Sequence, residues 1–211
     1  MAVSGLIMIA FLLMHSFGNI KVFFGAEAFD TYAHWLKSDI LYPLLPHGWF
    51  IWIFRIFMLV AIALHMASAW HLARRAKAAR GTSYVNKKTL QETYAARTMR
   101  WGGVILVAFL VFHLLQFTAQ VIVTGWQPGA GPYDMFVATF QQWWMVLAYL
   151  IWIVTVCMHV RHGTWSAMAT LGANTSTKTR TVLNGIAWLI AIVLFVWFMS
   201  GPIAVLVGVV K

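Results

Sequence analysis

The sequence predicts an all-α integral membrane protein of five transmembrane helices in a single domain over 1–211. Two observations predict it. Of 211 residues, 62% are hydrophobic and only 9% are charged, where a soluble domain carries about a quarter charged residues. The apolar residues also fall in long uninterrupted runs, and a run of about 20 is what a bilayer core requires of one helix. Five runs qualify: 2–24, 49–72, 101–124, 142–160 and 182–209.

The first span opens almost at Met1, with no basic start and no small-residue cleavage site before Phe17. Either its start lies at the membrane surface or a leading segment precedes it. Segment 25–48 holds Pro43 and Pro46, and segment 125–132 is rich in Gly and Pro. Both predict loops with short surface helices. The small polar tract 172–181 predicts a further loop.

Basic residues set the expected orientation. Arg74, Arg75, Lys77, Arg80, Lys87, Lys88, Arg97 and Arg100 follow the second span, and Arg161, Lys178 and Arg180 follow the fourth. The other side has Lys21, Lys37 and Lys211, with Glu27, Asp30, Asp39 and Asp134. The expected N-terminus is therefore cytoplasmic and the C-terminus outside. Topology and lipid or partner contacts thus account for the net charge of +10 without nucleic acid. The single cysteine, Cys157, rules out an internal disulfide and any thiolate cluster within the chain.

Eight histidines carry the chemistry of the reading. His34 and His47 fall in the first outer loop, and His71 and His162 at cytoplasmic helix ends. His15, His65, His113 and His159 lie inside the first four spans, one in each. An ionisable group within lipid is costly and is a functional candidate by default. A single buried histidine is as readily a neutral imidazole bonded to a neighbouring helix. Four, each on its own helix, point to ligands, and neutral imidazole is a strong ligand for haem iron.

Depth sorts the four into pairs at about 1.5 Å of rise per residue. His15 and His113 lie towards the outside, and His65 and His159 towards the cytoplasm. Each pair joins spans running in the same direction, which sit diagonally in a simple four-helix bundle. The expectation is a four-helix haem-binding core plus a fifth helix. Phe11-Leu12-Leu13-Met14-His15 resembles Phe109-Leu110-Val111-Phe112-His113, an internal echo of the same arrangement. Two imidazoles on one iron leave no open position, so each haem would carry electrons.

Other residues carry weaker signals. Arg55 is the one charge deep in a span, about 9 Å from its outer end by helical rise. It reads as a haem-propionate partner or as a side chain snorkelling to the interface. Gly18, one turn after His15, reads as room for a porphyrin to approach the backbone. Tryptophans near span ends, Trp35, Trp49, Trp52, Trp101, Trp126, Trp143 and Trp144 among them, read as the interfacial belt. Met14 and Met66 adjoin ligand candidates and point elsewhere on their helices.

The segment Ala2-Val3-Ser4-Gly5 through His15-Ser16-Phe17-Gly18-Asn19, with the spacing of the four histidines, resembles the cytochrome b subunit of succinate dehydrogenases and fumarate reductases. The similarity is to the single-anchor type with five helices and two b haems, and it covers essentially the whole chain. It implies a bacterial plasma-membrane anchor that is not itself catalytic on succinate. A flavoprotein and an iron–sulfur subunit would dock on its cytoplasmic face, and electrons would pass through two haems b to menaquinone. By this resemblance His65 and His159 bind the proximal haem iron, and His15 and His113 the distal. In some fumarate reductases of this type a glutamate near the ligand of the fourth helix moves protons. The corresponding stretch here, Val156-Cys157-Met158-His159, has none. Glu27, Asp30 and Asp39 are the candidates for quinone protons.

Two rivals remain at this point. A haem b anchor of another quinone-linked dehydrogenase, of the formate dehydrogenase or hydrogenase kind, typically has four helices. A transporter with proton-relaying histidines would be colourless.

Overall fold

A computed structural model of the chain describes residues 1–79 and 94–211; for 94–98 and Arg100 it describes the backbone alone. Seven α-helices occur among the described residues, with no strand: α1 (Ala2–Ile20), α2 (Ala26–His34), α3 (Trp49–Ala78), α4 (Tyr94–His113), α5 (Pro132–Phe140), α6 (Trp143–Thr170) and α7 (Thr177–Leu206). Among the described residues five segments are long and apolar enough to cross a membrane: Ala2–Phe24, Trp49–Ala78, Trp101–Thr118, Trp143–Thr170 and Thr177–Leu206. The protein is a multi-pass membrane protein of the all-α class.

Span positions agree with the sequence, and span ends differ for physical reasons. The second and fourth helices continue past the expected 72 and 160, to Ala78 and Thr170. Their added turns include Arg74, Arg75, Arg161 and His162, polar side chains that leave the helical backbone intact beyond an apolar stretch. The third span is shorter than expected. After His113 the helix widens into a π turn, Leu114–Thr118, and Gln120 takes a left-handed φ of 57°. Residues 119–124 then fold back as loop rather than extending the helix. The fifth helix begins earlier, at Thr177, because Ser176 caps it by accepting from the Thr179 N–H. Of the basic connection after the second span, Arg80, Lys87 and Lys88 lie outside the described residues, as do the side chains of Arg97 and Arg100.

The helices α1, α3, α4 and α6 pack in the order α3–α1–α6–α4. α1 packs on α3 and α6, and α4 packs on α6. The partners set diagonally in that order, α1 with α4 and α3 with α6, are not close-packed among the described residues, and neither are α3 and α4. α7 covers α1 and α6 from outside, and the two main apolar clusters run along these contacts. The outward sides of α3 and α4 carry exposed Trp52, Ile56, Phe57, Leu64, Val104 and Val111, a surface suited to lipid.

Chain direction defines two ends, here called the Met1 face and the Lys211 face. α2 and α5 close the Lys211 face. The Asp30 carboxylate accepts from the Tyr133 N–H at 2.9 Å, at the N-terminus of α5, and the Tyr133 hydroxyl donates to the Lys211 carbonyl at 3.0 Å. Phe136 of α5 sits so close to Gly201 of α7 that a Cβ there would lie 2.9 Å from its ring. The short helix α5 is thus buried, with Met135, Phe136, Val137 and Phe140 all in the core. Trp126, placed in the interfacial belt by its sequence position, is also buried there, while Trp35, Trp49, Trp52, Trp101, Trp143 and Trp144 are exposed.

Candidate functional site

These four helices bring the four histidines together as two facing pairs. On the Lys211 side the His15 and His113 ring centroids are 6.1 Å apart. On the Met1 side those of His65 and His159 are 6.3 Å apart. Each pair joins diagonal helices. Gly5 lies against the His65 ring, so His65 is level with the first turns of α1. His15 follows ten residues on. At 1.5 Å per residue the two pairs lie about 15 Å apart along the bundle.

Packing fixes the rings. His15 stacks on Phe11, with centroids 5.3 Å apart, and meets Phe198 at 5.8 Å. His113 lies against Phe117 and Trp152, each at 5.4 Å. Hydrogen bonds fix the tautomers of two of them. The Tyr149 hydroxyl donates to the Gln116 amide oxygen at 2.7 Å, so its oxygen accepts from His113 Nδ1, 3.1 Å away. The Ser4 hydroxyl donates to the Met1 carbonyl at 3.0 Å, so its oxygen accepts from His65 Nδ1 at 3.3 Å. In both rings the proton sits on Nδ1 and the Nε2 lone pair is free to ligate. His159 Nδ1 is buried with no hydrogen-bond partner among the described residues. A buried polar nitrogen without a partner is rare and calls for an explanation.

These observations test what the pairs could hold. A metal–imidazole bond is about 2 Å long, and a ring nitrogen lies roughly 1 Å from its ring centre. Two rings on one ion therefore have centroids about 6 Å apart, close to both observed values. No group of three or more His, Cys, Asp or Glu suited to a metal occurs among the described residues. A bare zinc ion takes three or four protein ligands. Two imidazoles suit an ion that brings its own equatorial ligands, as haem iron does. The residues fit that group: paired imidazoles with free Nε2 atoms, on helices that are not packed against each other.

The remaining sequence candidates are dispersed. The Arg55 guanidinium lies over the Trp52 ring at 4.8 Å, near the Lys211 end of α3. Gly18 faces Tyr32, and a Cβ there would lie 3.0 Å from that ring. Its space is taken by Tyr32, so the packing lends no support to Gly18 as porphyrin clearance. Met14 and Met66 are exposed, away from the paired rings. Asp30 is committed to α5. Glu27 lines a shallow groove with Lys21, Thr31, Tyr32 and Trp35. The Lys21 ammonium there lies within 5.8 Å of the Phe17, Phe24 and Tyr32 ring centres.

Asp39 is committed to two loop histidines, with His47 Nδ1 at 3.1 Å and His34 Nδ1 at 3.4 Å. The Ser38 hydroxyl bond, then the His47 bond and the charges of His34 and His47, hold its carboxyl below the ordinary range. A carboxyl lowered by folding stabilises the fold above its unfolded pKa of about 3.9 and stops doing so as the pH falls through its folded value. Asp39→Asn is thus expected to lower the melting temperature at pH 7, with the difference fading below about pH 4. Parallel melting curves across pH check it.

Ser4, Tyr149 and Gln116 support the histidines and do not stand out in the sequence as ligands do. The signal that could have found them is polarity within a span: Gln116 is three residues after His113, and Tyr149 is embedded in the fourth apolar run.

The fold and the site together define a class: a helical membrane protein with two diagonal histidine pairs stacked through its core. No protein-family model, curated protein or solved structure matches the chain.

Proposed function

We propose that the chain is the di-haem b membrane anchor of a succinate:menaquinone oxidoreductase, an electron-transfer subunit that passes electrons between an iron–sulfur subunit and membrane quinone. One observation carries the reading: two histidine pairs with ring centroids 6.1 and 6.3 Å apart, on diagonal helices. The sequence resemblance supplies the identity of the complex. Haem bound at each pair would supply reversible one-electron transfer.

The residues divide that task. His65 and His159 hold the group on the Met1 face, which the basic-residue asymmetry makes cytoplasmic. There an iron–sulfur subunit, carrying a flavoprotein, docks. His15 and His113 hold the group on the Lys211 face. The aromatic side chains of Phe11, Phe117, Trp152 and Phe198 exclude water from that pair. On this reading electrons enter at one face of the bundle and leave at the other. The compartment that follows is the bacterial plasma membrane, with the N-terminus inside.

Two partner-based experiments test this reading. A tag on this chain is expected to retain a flavin-containing and an iron–sulfur-containing subunit after mild detergent extraction, and the isolated assembly is expected to reduce menaquinone with succinate. Retention of a different dehydrogenase, or of no redox partner, contradicts it. Of the three acids considered for quinone protons, Glu27 alone makes no ion pair or side-chain hydrogen bond among the described residues. Glu27→Gln is expected to slow quinone turnover by about 100-fold or more, in the range of lost acid–base groups, whereas unchanged turnover removes Glu27 from the reaction.

A further inference from the structure

The π turn that ends α4 builds a buried polar chain onto one ligand. From His113 Nδ1 the contacts run to the Tyr149 hydroxyl at 3.1 Å and on to the Gln116 amide oxygen at 2.7 Å. The Gln116 amide nitrogen donates to Thr124 Oγ1 at 2.6 Å, and Thr124 Oγ1 meets Thr139 Oγ1 at 2.8 Å. Gln116 and Thr139 are wholly buried, and Tyr149 and Thr124 nearly so. Five residues of α4, its π turn, the following loop, α5 and α6 therefore share one network.

Such a chain is costly to bury and rigid once every member is satisfied. π turns within helices occur frequently at functional sites. Here the turn carries Gln116, and the chain reads in one direction. Gln116 turns its oxygen to Tyr149 and its nitrogen to Thr124. Tyr149 has a single proton, which goes to Gln116, so only a lone pair is left for His113. The reverse orientation of the Gln116 amide would send the Tyr149 proton to His113 Nδ1, put the imidazole proton on Nε2, and block ligation.

The opposite pair is supported differently. The His65 ring has a longer side-chain contact, Nδ1 to Ser4 at 3.3 Å, beside the Met1 backbone, and His159 Nδ1 has no partner among the described residues. A hydrogen bond accepted from the distant ring nitrogen raises the basicity of a ligating imidazole and stabilises the more oxidised metal.

We infer that Tyr149, oriented by Gln116 and the Thr124–Thr139 hydroxyl pair, is the positioning residue that sets the tautomer of His113 and tunes the Lys211-side haem separately from the Met1-side haem. The inference rests on the di-haem reading of the preceding subsection.

Redox potentiometry on the purified complex tests it, with the two haems told apart by which one His15→Ala removes. In Tyr149→Phe the midpoint potential of the Lys211-side haem is expected to rise while that of the other stays in place. Transfer of that haem to apomyoglobin is expected to quicken 10- to 100-fold, the usual cost of losing such a partner (roughly 10–100-fold in affinity). Gln116→Leu keeps the Tyr149 ring and hydroxyl but removes the acceptor that orients it. It is expected to move the same potential, and it decides the matter alone if Tyr149→Phe fails to assemble. Ser4→Ala is expected to shift only the Met1-side haem. The inference is overturned if the assembled Tyr149 and Gln116 variants move neither potential, or move both equally. A wild-type complex without haem overturns the di-haem reading and this inference together.

Discussion

Protein purified with His65→Ala is expected to hold one haem in place of two, and so is each single alanine variant at His15, His113 and His159. The geometry makes a sharper statement for the double variants. His65 and His159 face each other 6.3 Å apart, and His15 and His113 6.1 Å apart. Removing both members of one pair should cost no more haem than removing either one, because both act on the same group. Removing one member from each pair should leave none. Groups that act as a unit are strongly non-additive, whereas sites about 15 Å apart along the bundle act separately. Haem per chain across the four single and six double variants checks this. A His15/His65 double variant that kept one haem would show that the facing pairs are not the ligand pairs.

Gly125→Val is expected to be the most damaging single change away from the histidines, destabilising the protein by about 3 kcal/mol, the combined scale of backbone strain and overpacking. Gly125 has a φ of 83°, a conformation a β-branched residue rarely takes. A Cβ there would also lie 2.5 Å from Gln142 Nε2 and 3.0 Å from the Ala138 carbonyl oxygen. The Gln142 side chain can move, but the carbonyl belongs to the backbone of α5 and cannot. Gly25→Val is the matched control. Gly25 has a φ of 87° and a ψ of 174°, a region that glycine almost alone adopts, with no described atom within 4 Å of its missing Cβ, so that substitution carries strain alone, about 2 kcal/mol. Thermal unfolding in detergent separates the two. Equal losses at both positions would remove the close approach of α5 from the account.

The spans were legible because a bilayer demands length and apolarity, and both are written along the chain. The pairing of the histidines was legible because helical rise converts residue number into depth. Span ends were not, since α3 and α6 continue as helix through basic residues that hydropathy treats as exits. The π turn after His113 was also hidden. It depends on Gln116 meeting Tyr149 and Thr124 across three elements, and no local pattern announces that meeting. Helix α5 is too short and too mixed to read as a buried element, and it becomes one only when Asp30 caps it and Phe136 closes on Gly201. Gly18 lies one turn from His15, as its spacing says, and the neighbour against it, Tyr32, comes from α2, a contact that no local pattern announces.

The central claim is that His15, His65, His113 and His159 bind two haem irons between them. A reduced-minus-oxidised absorbance spectrum of the wild-type complex, with haem quantified per chain, tests it most directly. Two b-type haems per chain, both low-spin as paired imidazoles require, is the predicted result. A colourless assembly, or iron held by side chains other than these four, would contradict it.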